Sequence, residues 1–124
     1  MLSLCVLRGD GHMRVLSGGA DRVVRLHVVG ATAAAAGGGS VVQPTREYSG
    51  HGNWVRAIVE LSGERFASAS DDTTIRIWAL ESGACLATLS GHGNSVYGLV
   101  AIEGDKLASC SFDRTLVVWD TRTY

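Results

Sequence analysis

The chain has 124 residues, enough for a single compact domain, and is 46% hydrophobic and 19% charged, close to an ordinary globular composition. The formal net charge is −1 with basic residues scattered singly, which excludes the electrostatic patch typical of proteins that bind nucleic acids or anionic membranes. No apolar run approaches the roughly 18 residues of a transmembrane helix. We therefore expect neither nucleic acid nor membrane among the partners.

The first 44 residues divide into two segments of different composition. Residues 1–29 contain short apolar and β-branched runs, which are typical of strands. Residues 30–44 read GATAAAAGGGSVVQP, and such small residues bury too little apolar surface to order themselves, which predicts a flexible loop. A helix through the alanines is the alternative, but four alanines before three glycines are too few to sustain one.

The next segment, residues 45–82, consists of short apolar or β-branched runs separated by turn residues. The predicted strands are Thr45–Ser49, Val55–Val59, Phe66–Ser70 and Thr74–Trp78. Turn-forming residues such as Ser62-Gly63-Glu64 and Asp71-Asp72 lie between them. Because no window shows sustained helical periodicity, we predict an all-β fold.

Residues 83–124 repeat the preceding segment. Residues 50–80, GHGNWVRAIVELSGERFASASDDTTIRIWAL, align without a gap with residues 91–121, GHGNSVYGLVAIEGDKLASCSFDRTLVVWDT, so equivalent positions are 41 residues apart. A predicted strand over Cys85–Leu89 precedes the second copy, as its counterpart precedes the first. A degenerate copy lies at residues 15–29, where VLSGGADRVVRLHVV matches FASASDDTTIRIWAL at an offset of 51. The chain thus contains about three copies of one supersecondary unit.

A period of about 40–45 residues that begins at Gly-His and ends near Trp-Asp resembles the WD-repeat family. The two full copies begin at Gly50-His51 and Gly91-His92 and end at Trp78-Ala79 and Trp119-Asp120. The resemblance implies an all-β fold of antiparallel four-stranded blades, forming an incomplete WD-repeat β-propeller. The expected divisions are a degenerate first WD repeat without its Gly-His start (1–29), the flexible Ala/Gly-rich loop (30–44), a second WD repeat (45–82) and a third WD repeat lacking its last outer strand (83–124).

Each full copy carries the same four polar or aromatic residues. The two sets are His51, Ser68, Asp72 and Trp78, and His92, Ser109, Asp113 and Trp119. The resemblance implies that each set is a structural hydrogen-bonded network, in which a buried Asp must be paired, a His can donate to it, a Ser hydroxyl can bridge, and the indole N–H needs an acceptor. A Ser-His-Asp catalytic triad is the competing interpretation, but the G-x-S-x-G elbow that exposes a catalytic serine is missing. Two equivalent copies also fit a scaffold better than an active site, so we expect no catalytic residue.

The histidines, glycines and cysteines lack the spacing of a cofactor or metal site. No histidine has a second ligand at a recognised spacing, and the glycines form no P-loop, so we expect no metal and no cofactor. Cys5, Cys85 and Cys110 are an odd number without C-x-x-C spacing, which disfavours a disulfide framework. We predict that all three are small, buried residues of strands.

The resemblance also implies a face for partner binding, formed by the Gly-His loops and the Asp-containing turns. The candidate partner-binding residues are Trp54, Arg56, Asp71, Ser95, Tyr97 and Phe112. Aromatic and arginine side chains dominate binding hot spots, and strand alternation directs Trp54 and Arg56 away from the core if Val55 points inward. Local packing of Trp54 and Phe112 against the next blade is the alternative. Recognition of an acidic or phosphorylated peptide by Arg56 is a further hypothesis.

These patterns predict a non-catalytic protein–protein interaction scaffold that binds other proteins or peptides. The alternative is a substrate-recognition segment of a ubiquitin-ligase or kinase-type assembly. An enzyme in its own right is a third possibility, for which no reactive exposed serine, cysteine or carboxylate pair is found.

The number of repeats bears on how the fold is completed. Characterised propellers have typically about four to eight blades, so we expect this chain to be a fragment of a larger propeller or to close a ring by self-association. A stable open arc is the remaining alternative. The apolar start, Met1 to Leu7, lacks the basic leader of a signal peptide, which predicts an intracellular location, cytoplasmic or nuclear.

Overall fold

The computed structural model describes residues 2–7, 13–29, 44–103 and 105–122. Within these residues all regular structure is β. The strands are β1 (Leu2–Leu7), β2 (Met13–Gly19), β3 (Val23–Val29), β4 (Pro44–Ser49), β5 (Val55–Leu61), β6 (Arg65–Ser70), β7 (Ile75–Ala79), β8 (Cys85–Leu89), β9 (Val96–Ile102), β10 (Lys106–Ser111) and β11 (Leu116–Asp120). The predicted all-β class is confirmed.

The strands form three antiparallel sheets in which neighbours in sequence are also neighbours in space. The first sheet contains β1 to β4 and the second contains β5 to β8. The third contains β9 to β11 within the described part of the chain. Consecutive antiparallel strands need only short connections, which matches the turn residues between the apolar runs. This is the meander of a propeller blade, as predicted.

The first and second sheets each take their outer strand from the beginning of the next sequence repeat. β4 lies directly before Gly50-His51, yet it pairs with β3 of the first sheet, where Leu26 faces Arg46. β8 is added to the second sheet in the same way, with Ile77 facing Ala87. The flexible loop predicted for residues 30–44 lies outside the described residues, apart from Pro44 at the start of β4.

The sheets pack face to face, and the core lies between them. Tyr48 of the first sheet packs edge-on against Phe66 of the second, with ring centroids 4.8 Å apart, and both side chains are buried. Between the second and third sheets, Ile75 and Ile77 pack with Leu107. Because the second sheet is covered on both faces, β6 is buried at five consecutive positions rather than alternating.

The free face of the third sheet exposes large apolar side chains. These are Val100, Ile102, Leu116 and Val118. The repeat makes Leu116 the equivalent of Ile75, which is fully buried between the second and third sheets. The same type of surface is therefore covered in one sheet and open in the next.

The three cysteines lie on strands, but the prediction that all are buried was wrong. Cys85 on β8 is exposed, and Cys5 and Cys110 are partly exposed. All three are free thiols. β8 is the outer strand of its sheet, so its side chains lie largely outside the stacked core, which the apolar pattern around Cys85 did not show.

Candidate functional site

The first of the two repeated polar sets joins a loop, a strand and a turn in the second sheet. His51 lies in the loop before β5, Ser68 lies in β6, and Asp72 lies in the turn between β6 and β7. His51 Nδ1 is 2.9 Å from a carboxylate oxygen of Asp72, and His51 Nε2 is 2.6 Å from Ser68 Oγ. The indole N–H of Trp78, on β7, donates to the same Ser68 Oγ at 2.8 Å.

The donors and acceptors assign the protons of this set. The indole of Trp78 can only donate, so Ser68 Oγ accepts from it and directs its own hydrogen to His51 Nε2. His51 Nδ1 then carries a hydrogen and donates to Asp72. Burial lowers the pKa of His51, which keeps the imidazole neutral in this tautomer. The donor chain Ser, His, Asp is the one found in serine hydrolases.

Asp72 accepts three hydrogen bonds besides the one from His51. Its oxygens accept from the backbone N–H of Gly52 at 2.9 Å, and from the N–H and the hydroxyl of Thr74 at 2.9 and 2.6 Å. Burial raises the pKa of this carboxyl, but the bonds from Thr74, Gly52 and His51 outweigh burial and bring its pKa to about 2. The carboxylate thus ties the Gly-His loop to the β6–β7 turn.

The third sheet contains the same arrangement at positions 41 residues later. His92 is 2.9 Å from Asp113 and 2.7 Å from Ser109, and Trp119 donates to Ser109 at 2.8 Å. Hydrogen bonds, the hydroxyl of Thr115 foremost, hold the pKa of Asp113 well below its usual range. The two sets therefore agree within 0.1 Å in these three distances.

Neither serine is placed where a substrate reaches it. Ser68 is 0% exposed and Ser109 is 1% exposed, and each hydroxyl lies against its histidine and the indole of the same set. A groove of about 680 Å³ lies instead along β1, β5 and β9, and its lining includes no residue of either set. The geometry is that of a triad, but the environment is that of a core.

The first sheet retains only part of the set. Ser17 Oγ lies 3.0 Å from Nε2 of His27, which occupies the position of the tryptophan. Asp21 forms an ion pair with Arg25. No His-Asp contact of the kind seen in the other two sheets occurs among the described residues of this sheet.

The predicted partner-binding residues of the second sheet form one interlocked cluster. Arg56 donates from Nε and Nη2 to the two carboxylate oxygens of Asp71, at 2.9 and 2.7 Å. The guanidinium also lies over the indole of Trp54, 4.9 Å from the ring centroid. The backbone N–H of Asp71 donates to the carbonyl of Trp54 at 2.9 Å, which holds loop and turn together.

The equivalent positions of the third sheet form an aromatic pair. The rings of Tyr97 and Phe112 have centroids 4.7 Å apart at an interplanar angle of 37°. Phe112 N–H donates to the carbonyl of Ser95 at 3.1 Å, the counterpart of the bond between Asp71 and Trp54. Arg56 chiefly, and the nearby Ser95 side chain to a smaller extent, lower the pKa of Asp71. The six predicted residues occupy equivalent loop, bulge and turn positions of the two sheets.

Arg56 and Tyr97, the central residues of these clusters, each lie in a β-bulge. The sequence patterns did not predict these bulges. In β5, Val55 faces Ser70 and Ala57 faces Ala69, which leaves Arg56 as the extra residue. In β9, Tyr97 is the extra residue of an equivalent bulge. A bulge turns the inserted side chain out of the regular alternation, and bulges are common next to functional sites. Their equivalence in the repeat alignment is the one signal that links the two positions.

The described part of the chain contains no cluster of three or more histidine, cysteine or acidic side chains arranged to hold a metal ion. It also contains no helix long and apolar enough to cross a membrane.

The sequence of the chain was compared with protein families and with known proteins. The family described as WD domain, G-beta repeat matches residues 42–79 and 83–120, which together make up more than half of the chain. The Ribosome biogenesis protein BOP1 homolog of Drosophila virilis is 46% identical over 43 residues, covering 34% of this chain and 6% of that protein. Nuclear distribution protein nudF 1 of Talaromyces marneffei is 56% identical over 43 residues, covering 33% of this chain and 9% of that protein. The match thus spans less than a tenth of the length of either relative. Because two successive repeats match, with blade geometry and the repeated His-Ser-Asp-Trp contacts in both, the chain belongs to the WD-repeat family.

Proposed function

We propose that this chain is a non-catalytic protein–protein interaction scaffold that binds other proteins or peptides. Its binding residues are Trp54, Arg56, Asp71, Ser95, Tyr97 and Phe112. The observation that carries the proposal is the exposed aromatic pair, since Tyr97 is 46% and Phe112 is 63% exposed although the two rings lie in contact. Exposed aromatic side chains held by a rigid sheet are typical of binding hot spots.

The buried serines support a structural role for both polar sets. A nucleophilic serine must reach a substrate carbonyl, and Ser68 and Ser109 are enclosed by the residues that bond to them. Each hydroxyl accepts from an indole, a contact that holds the strand carrying the tryptophan. We therefore propose that the eight network residues stabilise the blades and that the chain has no catalytic site and no cofactor.

We further propose that the fold is completed by additional blades or by self-association. Support comes from the apolar face of the third sheet, because Leu116 and Val118 are exposed while their equivalents Ile75 and Ile77 are fully buried. Exposed apolar faces of this kind are usually covered. The division into repeats at 1–29, 45–82 and 83–124, with the Ala/Gly-rich residues 30–44 between the first two, belongs to the same proposal.

A substrate-recognition segment in a ubiquitin-ligase or kinase-type assembly is the second candidate, and the same binding face would serve it. For location we propose the cytoplasm or the nucleus. The names of the two relatives, which refer to ribosome biogenesis and to nuclear distribution, support an intracellular location. Their functions concern proteins of which this chain matches less than a tenth, so neither is assigned to it.

The test is capture of partner proteins from cell extract by the immobilised full chain. We expect Tyr97→Ala and Phe112→Ala to abolish capture while the melting temperature stays nearly unchanged, because both rings are substantially exposed. Leu86→Ala removes a comparably exposed apolar side chain from β8 and serves as the matched control. Capture that survives both aromatic substitutions would show that the binding face is wrongly assigned.

A further inference from the structure

The repeat places two chemically different pairs at one structural position. In the second sheet the bulged residue of the inner strand and the residue before the network aspartate are Arg56 and Asp71. In the third sheet the same two positions are Tyr97 and Phe112. The backbone bonds that hold the pairs are equivalent, so the difference lies in the side chains alone.

The charge of Arg56 is already matched within the chain. Two of its nitrogens bond to the two oxygens of Asp71, and its flat face lies against Trp54. This contact raises the pKa of Arg56 and lowers the pKa of Asp71, as expected when each stabilises the charge of the other. An incoming carboxylate or phosphate would meet a guanidinium whose charge Asp71 already neutralises and would lie close to that carboxylate, which opposes binding.

The outer surface of the aromatic pair is largely open to solvent. Tyr97 and Phe112 contact each other, yet Phe112 keeps nearly two thirds of its surface exposed. Trp54 is a third, less exposed ring, with 37% of its surface accessible beside the guanidinium of Arg56. The face therefore offers apolar contact area beside a neutralised ion pair.

Building on the proposed binding function, we propose that the partner segment is a peptide anchored by an apolar side chain on Tyr97 and Phe112, and not an acidic or phosphorylated peptide held by Arg56. The Arg56–Asp71 pair then acts as a preformed polar rim that keeps Trp54 in place. Because the peptide is not bound through a net charge, its affinity is expected to change little with salt concentration.

The experiment is selection of a random-peptide display library on the full chain, followed by affinity measurement with the most enriched synthetic peptide. We expect one strongly enriched aliphatic or aromatic position and no enrichment of Asp, Glu or phosphomimetic residues. Tyr97→Ala and Phe112→Ala should each lower the affinity for this peptide by about tenfold or more.

Two matched controls separate the charge from the rings. The exchange of Arg56→Asp together with Asp71→Arg preserves an ion pair but reverses its direction, and for a peptide anchored on the rings it should lower affinity less than Tyr97→Ala or Phe112→Ala does. Leu86→Ala should have no effect, since that side chain is exposed on another strand. Circular dichroism of each variant verifies that the fold is retained.

The possible failures are distinguishable. A consensus rich in acidic residues, with binding lost in the exchanged variant, would overturn the apolar anchor while leaving the proposed binding function intact. If no peptide is enriched over a blank surface, or if binding ignores all six positions, both the anchor and the proposed binding face are wrong.

Discussion

The hydroxyl of Ser68 is the point at which three elements of the second blade meet. It accepts from Trp78 on β7 and donates to His51 in the loop before β5, while its own backbone belongs to β6. His51, Ser68 and Trp78 are buried and their side-chain polar atoms are paired, so the loss of one partner leaves another unsatisfied. The same atoms that resemble a catalytic triad therefore have a measurable structural role.

We predict that Ser68→Ala destabilises the fold by about 2–4 kcal/mol, because it leaves the Trp78 indole N–H and His51 Nε2 without partners in a buried site. Chemical denaturation followed by tryptophan fluorescence measures this change. Ser90→Ala, at an exposed loop position, is the control and should have little effect. Unchanged stability combined with loss of a hydrolase activity would instead establish Ser68 as a nucleophile.

We predict that stability falls in two steps as the pH is lowered. The pKa of His51 is below its ordinary 6.5 in the folded state, so the unfolded chain takes up the proton first and stability is lost as the pH falls below that value. Asp72 has a pKa of about 2 instead of 3.8, so its contribution of about 2 kcal/mol is present above pH 4 and disappears between about pH 4 and 2.

Thermal melting between pH 7.5 and 2.5 tests this dependence. Asp72→Asn should lower the melting temperature at neutral pH and reduce its further fall between about pH 4 and 2. The carboxyl of Asp113 still contributes to that fall. A melting temperature that rises from pH 7 to pH 5 would mean that His51 binds its proton more tightly in the folded state, contrary to the neutral tautomer assigned to it.

At the scale of single elements, the turn between the second and third strands of each sheet adopts the same strained form. Arg22, Thr73 and Arg114 occupy equivalent positions and have φ values of 70°, 75° and 71°. The left-handed region is least favourable for a β-branched residue, so the turn of the second sheet carries the largest local penalty. The sequence predicted a turn at Asp71-Asp72, directly before Thr73, but not the left-handed backbone, because the flanking strands impose it.

We predict that Thr73→Asn stabilises the protein by about 0.5–1 kcal/mol, since asparagine adopts positive φ more readily than threonine. A shift of the denaturant midpoint to higher concentration measures the gain. Thr88→Asn on exposed strand β8 is the matched control and should be neutral or slightly destabilising. If both substitutions destabilise the protein equally, interactions of the Thr73 hydroxyl must offset the conformational cost of its positive φ.

The elements themselves were predicted closely. β8 has the predicted bounds, Cys85–Leu89, and β7 is shifted by one residue from its prediction. Short β-branched runs between turn residues carry this signal locally. The bulges at Arg56 and Tyr97 carry no such signal, because a bulge depends on the register between two strands rather than on either strand alone.

At the scale of the whole molecule, the same surface is buried between two sheets and open on the third. Ile75 is fully buried, and its equivalent Leu116 is 68% exposed. The contribution of this side chain to the free energy of unfolding therefore depends on packing against a neighbouring sheet and not on the identity of the residue.

We predict that Ile75→Ala costs about 2–5 kcal/mol and that Leu116→Ala costs less than about 0.5 kcal/mol in the monomer. Denaturation of a sizing-column fraction of known mass measures both, and the pair serves as its own control. A cost at Leu116 approaching that at Ile75 would show that another blade, from a second copy or a larger assembly, covers the third sheet.

The sequence by itself determined the blade repeat, the strands and the two sets of four residues, because these depend on patterns repeated every 41 positions. Only the tertiary structure decided the contacts between repeats. A Cβ on Gly18 would lie 2.9 Å from Val55 of the next sheet, and nothing near Gly18 in the sequence indicates this close approach. The pairing of Arg56 with Asp71, and of Tyr97 with Phe112, was equally hidden. The reason is physical: a periodic pattern shows which face a side chain occupies, but its partner depends on how separately formed sheets stack and where bulges turn their strands.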